Sequence, residues 1–280
     1  MAKMIDFHIH PPGPEGLSTR EQEQMAAYFR GGPPPKTIEE VVAYYEGIDA
    51  HGVIFAIDNE TVSGRPPVPN DYIADCVRRW PERFTGFGTV DPWKGAMAVR
   101  EAERVRDLGL KGLKFHPSTQ EFHPNDRRFY PLWEKAQELG LIVLFHSGTT
   151  GVGAGQPGGG GIKLGYARPI PYMDDVAADF PELRIVMAHP AWPWQEEQLA
   201  MLVHKPNVYM DLSGWSPKYF SPSLVTYANH MITDKVLFGS DYPAITPERW
   251  LRDFEAAGFN DDVRQRILYD NAARLLGIAP

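Results

Sequence analysis

The chain is poor in cysteine: Cys76 stands alone among 280 residues, so an internal disulfide and a dithiol redox pair are both excluded. Cys76 lies in the helical pattern YIADCVRRW with no activating neighbour and reads as buried packing. No run of about 18 apolar residues exists, which excludes a membrane-spanning helix. The start, MAKMIDFHIH, enters a strand directly and lacks the apolar stretch of a secretory signal, so a soluble, cytoplasmic protein is expected. Basic clusters are missing too. The net charge of -8, from 36 acidic against 28 basic residues, argues against nucleic acid or an anionic membrane as the main partner and leaves a small molecule. Internal repeats are absent, and residues 1–280 read as a single domain.

What the chain does have is 43% hydrophobic residues, enough for a sizeable core, arranged in short continuous apolar runs. The runs at the start (ending in HIH), VIFAI, FTGFGTV, GLKFH, LIVLF, RIVMA, NVYMDL and KVLFG alternate with helical patterns. These helices are expected over 37–46, to Trp80, and over 94–108, 128–139, 172–180, 194–203, 223–231 and 247–257. Strands apolar on both faces belong to a parallel sheet covered on both sides. Eight strand-then-helix units in a chain of this length predict a (β/α)8 TIM barrel, with a doubly wound sheet as the lesser alternative. A last helix over 261–276 would pack outside it. The proline- and glycine-rich segment 11–36, with a helical piece over 21–29, is expected to form a lid. Thr37 and Glu40 have the spacing of a helix cap.

The chemistry gathers where the apolar runs stop. Alternation along the first strand would send His8 and His10 one way and Phe7 and Ile9 the other, the geometry of a two-pronged metal grip. Lys114 and His116 follow the fourth run, His146 the fifth, His189 the sixth and Asp241 the eighth. In a barrel these ends share one face. Three imidazoles and a carboxylate make a nitrogen/oxygen set suited to zinc or a similar divalent ion, open enough to leave room for water or substrate. Arg168, just past the glycine-rich stretch 151–161, could clamp a substrate carboxylate, although a solvated helix start competes with that reading. Trp192 and Trp194 could wall a pocket; His51, His123, His204 and His230 fall away from strand ends. The segment GAGQPG beginning at Gly153 fits a dinucleotide-binding pattern but contains proline and follows the fifth strand, so it is discounted in favour of a pocket rim.

The joint occurrence of HIH, FHSG, MAHPAW and FGSDYP resembles the amidohydrolase superfamily, in the branch containing aminocarboxymuconate-semialdehyde decarboxylase, γ-resorcylate decarboxylase and related hydrolases. That resemblance runs from Asp6 to the closing NAARLLGI. It implies His8, His10, His146 and Asp241 as metal ligands and His189 with Asp241 as catalytic groups. In that branch Lys114 becomes a charged substrate contact or supports the ligands; from the residues themselves, His116 shares the face of Lys114 and is a candidate substrate contact unless the following Pro117 puts it in a loop, and Arg168 is the candidate clamp. Wider members of the superfamily carry a carboxylated lysine bridging two metals where Lys114 stands; the decarboxylase branch implies one ion, zinc first, with manganese or another divalent ion as alternatives. The activity so implied is non-oxidative decarboxylation of a small carboxylated aromatic or unsaturated acid. Hydrolysis of a lactone, ester or amide by metal-bound hydroxide is the competing activity, and a catalytically silent metal-binding scaffold is disfavoured. The implied partner is a small carboxylic acid, with self-association into a homo-oligomer left open.

Overall fold

In a computed structural model describing residues 3–14, 28–29 and 32–278, eight parallel strands pair in sequence order. They are β1 (Met4–Ile9), β2 (Ala50–Ile54), β3 (Phe84–Thr89), β4 (Gly112–Phe115), β5 (Ile142–His146), β6 (Ile185–Ala188), β7 (Val208–Asp211) and β8 (Val236–Leu237). The ring closes where Phe7 N donates to Phe238 O at 2.9 Å and His10 N to Tyr242 O at 2.8 Å, so the architecture is the expected (β/α)8 barrel. Alternation along each strand divides its apolar residues between two places. Val53, Ile142, Leu144, Val186 and Leu237 fill the interior, whereas Val143, Phe145, Ile185, Met187 and Met210 pack outward against the helices.

The first strand breaks this alternation. Asp6 pairs with Gly52 but Ile9 pairs with Ile54, three steps on β1 against two on β2, which inserts one residue into the strand. Phe7 therefore joins the interior cluster while Ile9 packs outward. The expectation that Phe7 and Ile9 share a face is overturned, and the bulge re-aims the strand end that carries His8 and His10.

Helix boundaries fall near the expected ones. The helix Ile38–Gly47 is capped by Thr37, whose side chain accepts from Glu40 N at 3.3 Å, while Glu40 accepts from Lys36 N at 2.8 Å. The helix expected over 172–180 is shorter, Asp174–Asp179, behind an irregular turn Pro169–Met173. Two prolines remove backbone donors there. Strand β4 stops before His116, which caps the short helix Pro117–Gln120, and β8 is only two residues long, because Phe238 N turns to donate to Ile267 O at 2.8 Å.

The terminal segment is not an external addition. Its last turns, Asn271–Leu276, bury Ala272, Leu275 and Leu276 against Ile5, Phe7 and Val53, and Leu275 O accepts from Arg184 just before β6. It plugs the barrel at the amino-terminal ends of the strands, which leaves the opposite face open for a site. The helical piece expected over 21–29 lies outside the described residues except for 28–29. No described helix is long and apolar enough to cross a membrane. Cys76 is buried, and burial pushes its thiol up to about 11, in keeping with a packing role.

Candidate active site

At the carboxyl-terminal ends of the strands a cavity of about 700 Å³ is lined by His8, His10, Lys114, His116, His146, His189 and Asp241. His10 Nε2 lies 3.2 Å and His8 Nε2 3.4 Å from Asp241 Oδ1. The three groups present donor atoms within 4.8 Å of one another, as do His8, His189 and Asp211. Among the described residues His146 belongs to neither group. It stands one step back, its Nδ1 3.0 Å from His189 Nε2. Three of the four expected ligands are thus brought together and the fourth adjoins them through His189.

The donor chemistry fits a cation. His8 Nδ1 donates to Asp211 Oδ2 at 3.0 Å, which leaves a lone pair on Nε2 facing the Asp241 carboxylate. Burial, reinforced by the Lys114 charge, holds the His8 imidazole well below its ordinary pKa, so that ring is neutral. Burial alone would raise Asp241, but the hydrogen bond it accepts from His10 holds its carboxyl well below the usual range. A neutral imidazole nitrogen and an ionised oxygen facing each other repel unless positive charge lies between them. A divalent ion between them would supply it. Lys114 Nζ, 3.4 Å from His8 Nε2 and 4.9 Å above the Phe55 ring, adds a cation at the inner wall. Burial lowers Lys114 to about 8 despite the attraction of Asp211 and Asp241.

His189 and His146 form a contacting pair of imidazoles. His189 Nδ1 is 3.0 Å from Ser213 O, His146 Nε2 is 3.1 Å from Thr149 O, and the remaining ring nitrogens face each other. Carbonyls only accept, so satisfying all three contacts needs three N–H groups on two rings, one more than two neutral imidazoles carry. Burial lowers both rings from their ordinary pKa, so in the neutral pair one contact goes unmade and a proton acquired there completes the chain. The backbone is strained at the same place: His189 has φ +68° and Asp241 φ +71°, left-handed values for residues with side chains. Beside them Gly214, at φ +72°, brings bare backbone so close that a Cβ there would lie 2.6 Å from His189 Nδ1.

Other sequence-based assignments fare unevenly. Arg168 does not line the cavity; its Nε and Nη2 grip Glu197 at 3.0 and 2.6 Å on the exposed surface. His116 lines the wall, stacked on His146 at 3.8 Å, but Thr119 N donates to its Nδ1 and its Nε2 meets Thr150 Oγ1 at 3.2 Å, so its ring nitrogens are already engaged. Trp192 lines the cavity and Trp194 does not. His51 sits at the start of β2, bonded to Glu82 O and Thr85 Oγ1. The glycine-rich loop contributes Gly151 to the cavity wall, and Gly153, Gly155 and Gly158 to Gly161 all take positive φ, as a rim would require. Sequence reasoning missed Asp211, although it ends β7 as the other site residues end their strands. It also missed Trp215, Lys218 and Arg249, which line the cavity from loops and a helix.

A closed parallel barrel with a His/Asp cluster at the carboxyl ends of its strands defines a metal-centred (β/α)8 enzyme scaffold. The chain belongs to the amidohydrolase family, whose profile, described as amidohydrolase, matches residues 5–278. The family and the cluster together support a divalent metal. Among curated proteins it is 24% identical over 242 residues to 2-amino-3-carboxymuconate-6-semialdehyde decarboxylase of Dictyostelium discoideum, covering 75% of this chain and 66% of that one, just under two thirds. It is 23% identical over 249 residues to γ-resorcylate decarboxylase of a Polaromonas species, covering 74% of each. Among solved structures a TIM-barrel protein of Bordetella bronchiseptica superposes with a TM-score of 0.81 at 24% identity over 98% of both chains. A dihydroxybenzoic acid decarboxylase of Polaromonas, with bound manganese and the inhibitor 2-nitroresorcinol, superposes at 0.66 and 18% identity, covering 99% of this chain and 98% of that one. These structural likenesses establish the fold.

Proposed function

We propose that the protein catalyses the metal-dependent, non-oxidative decarboxylation of a small aromatic carboxylic acid. One observation carries the reading: His8, His10 and Asp241 converge beside His189 in a cavity walled by aromatic rings and, among the described residues, containing three cations, Lys114, Lys218 and Arg249, against the single carboxylate Asp241. Such a cavity suits a flat anion. The names of both curated relatives support decarboxylation over hydrolysis.

His8, His10 and Asp241 would hold the ion, with His146 completing the set if its ring turns away from Thr149. When bound, the ion would supply Lewis acidity toward a substrate oxygen. Zinc suits this donor set. So does manganese, which the Polaromonas neighbour binds, and elemental analysis of the purified protein distinguishes them.

The protein's own groups do the rest. Lys114 faces the substrate anion from the inner wall, and Trp192 and Trp215, 6.1 Å apart, lie along the face of the ring. Loss of carbon dioxide leaves the bonding electron pair on the ring carbon, which takes a proton in its place. In this reading His189 Nε2 holds that proton, which the contacts of its Nδ1 with Ser213 O and Ser213 Oγ support. Asp241 tunes the proton affinity of His189 through its charge.

A panel of hydroxylated benzoic acids incubated in ¹⁸O-labelled water tests the proposal. Carbon dioxide and a decarboxylated ring in equal amounts, with no label in the ring product, are expected. Label incorporated into a product from a lactone or ester, with no carbon dioxide from any acid, would replace decarboxylation by hydrolysis.

A further inference from the structure

We infer that Arg249, with Lys218 on the same side of the cavity, forms a second anion subsite, so that the preferred ligand is an aromatic acid bearing a second acidic group. The inference rests on the function proposed above for its first anion site but is read by binding, independently of turnover.

The charge inventory leads to it. A monoacid needs one cationic end of the cavity, and the metal ligands with Lys114 provide that at the strand ends. Two further cations line the same cavity from separate elements: Lys218 from the turn Pro217–Tyr219 after β7 and Arg249 from the helix Pro247–Phe254 after β8. Lys218 is exposed, its Nζ 4.9 Å above the Tyr219 ring. Arg249 is half-buried and fixed, donating through Nη1 to Phe29 O at 2.8 Å.

Its other guanidinium N–H groups have no carboxylate of the described residues within ion-pair distance. The acids beside it in sequence are turned elsewhere: Glu248 accepts from the Tyr44 hydroxyl and Asp253 from Ser216 Oγ. A half-buried guanidinium that answers only one neutral carbonyl among the described residues is costly unless an anion completes it. Its planar fork matches a carboxylate or an ionised phenol, both of which an aromatic acid can carry.

Arg249 could instead do no more than pin the segment around Phe29, and the two roles predict different losses. Benzoate and benzene-1,3-dicarboxylate are titrated into the metal-loaded protein, with tryptophan fluorescence of Trp192 and Trp215 as readout. The wild type should bind the diacid about 10-fold or more tighter than the monoacid. Arg249→Gln should bring the two within about threefold by weakening the diacid alone, and Arg249→Lys should recover part of the preference. Lys218→Gln should lose less, because that ammonium is solvated. Equal affinities in the wild type, failure of either probe to bind, or an Arg249→Gln variant that weakens both probes alike or neither would overturn the subsite. A preserved diacid preference in a protein that releases no carbon dioxide would leave the subsite standing and remove decarboxylation.

Discussion

Replacing Asp211 with asparagine changes one atom and should cost the site its metal. Oδ1 of Asp211 accepts from His189 N at 3.3 Å, Ser213 N at 3.0 Å and the Ser213 hydroxyl, while Oδ2 accepts from His8 Nδ1 at 3.0 Å. Asparagine has one oxygen, and three donors hold it on the Oδ1 side. Its amide nitrogen then faces the His8 Nδ1–H donor to donor. His8 can relieve the clash only by moving its proton to Nε2, the nitrogen that faces Asp241 at 3.4 Å and would bind the ion. A hydrogen bond to a charged partner is worth about 1.5–3 kcal/mol, which at about 1.4 kcal/mol per decade is roughly 10- to 150-fold in affinity. Partners of metal-bound histidines elsewhere give about 10- to 100-fold. The assay is a titration of metal-free protein against a competing chelator, with a thermal melt of the metal-free variant as the control for folding. An affinity within about twofold of wild type in a folded variant would refute this account of how His8 is held.

Three further outcomes follow from the geometry. Gly214→Ala and Gly155→Ala both force a side chain into positive φ, at +72° and +75°, at a cost of about 1–2 kcal/mol each by urea unfolding. Only the first should lose more than this and slow turnover, since its Cβ would meet His189 Nδ1 at 2.6 Å whereas nothing lies within 4 Å at Gly155. Lys114, lowered by burial from 10.5 to about 8, releases its proton in the folded metal-free protein while the unfolded chain still holds one. Stability should therefore rise by about 3 kcal/mol between those pH values, and Lys114→Met should flatten the rise; a wild-type curve already flat would contradict it. Arg168→Ala should leave KM and the melting temperature unchanged, because Arg168 is itself exposed and lies outside the cavity lining; a raised KM would make Arg168 a substrate contact.

The barrel was legible because burial on both faces leaves an unambiguous mark, short runs of continuous apolar residues with a chemically active residue where each stops. That rule brought His8, His10, His189 and Asp241 to one face, where all four line the cavity. Asp211 satisfies the same rule, but one acid after a strand has no partner visible in sequence; what gives it a role is His8, 203 positions away. The bulge in β1 was invisible because alternation assumes an unbroken register, and only the pairing with β2 shows the inserted residue. The pairing of Arg168 with Glu197 was invisible because the two stand 29 residues apart. Arg249 was overlooked for the converse reason: in the first turn of an amphipathic helix an arginine reads as solvated, and only the closed ring of strands brings that turn to the cavity wall.

The central claim is that one ion held by His8, His10 and Asp241 supports decarboxylation, with Lys114 unmodified. It is tested most directly by adding measured equivalents of zinc or manganese to chelated, inactive protein and following carbon dioxide release from a hydroxylated benzoic acid. Activity should return in proportion to ion and saturate at about one equivalent per chain. Full activity in metal-free protein, or saturation only at about two equivalents with a carbamate on Lys114, would contradict it.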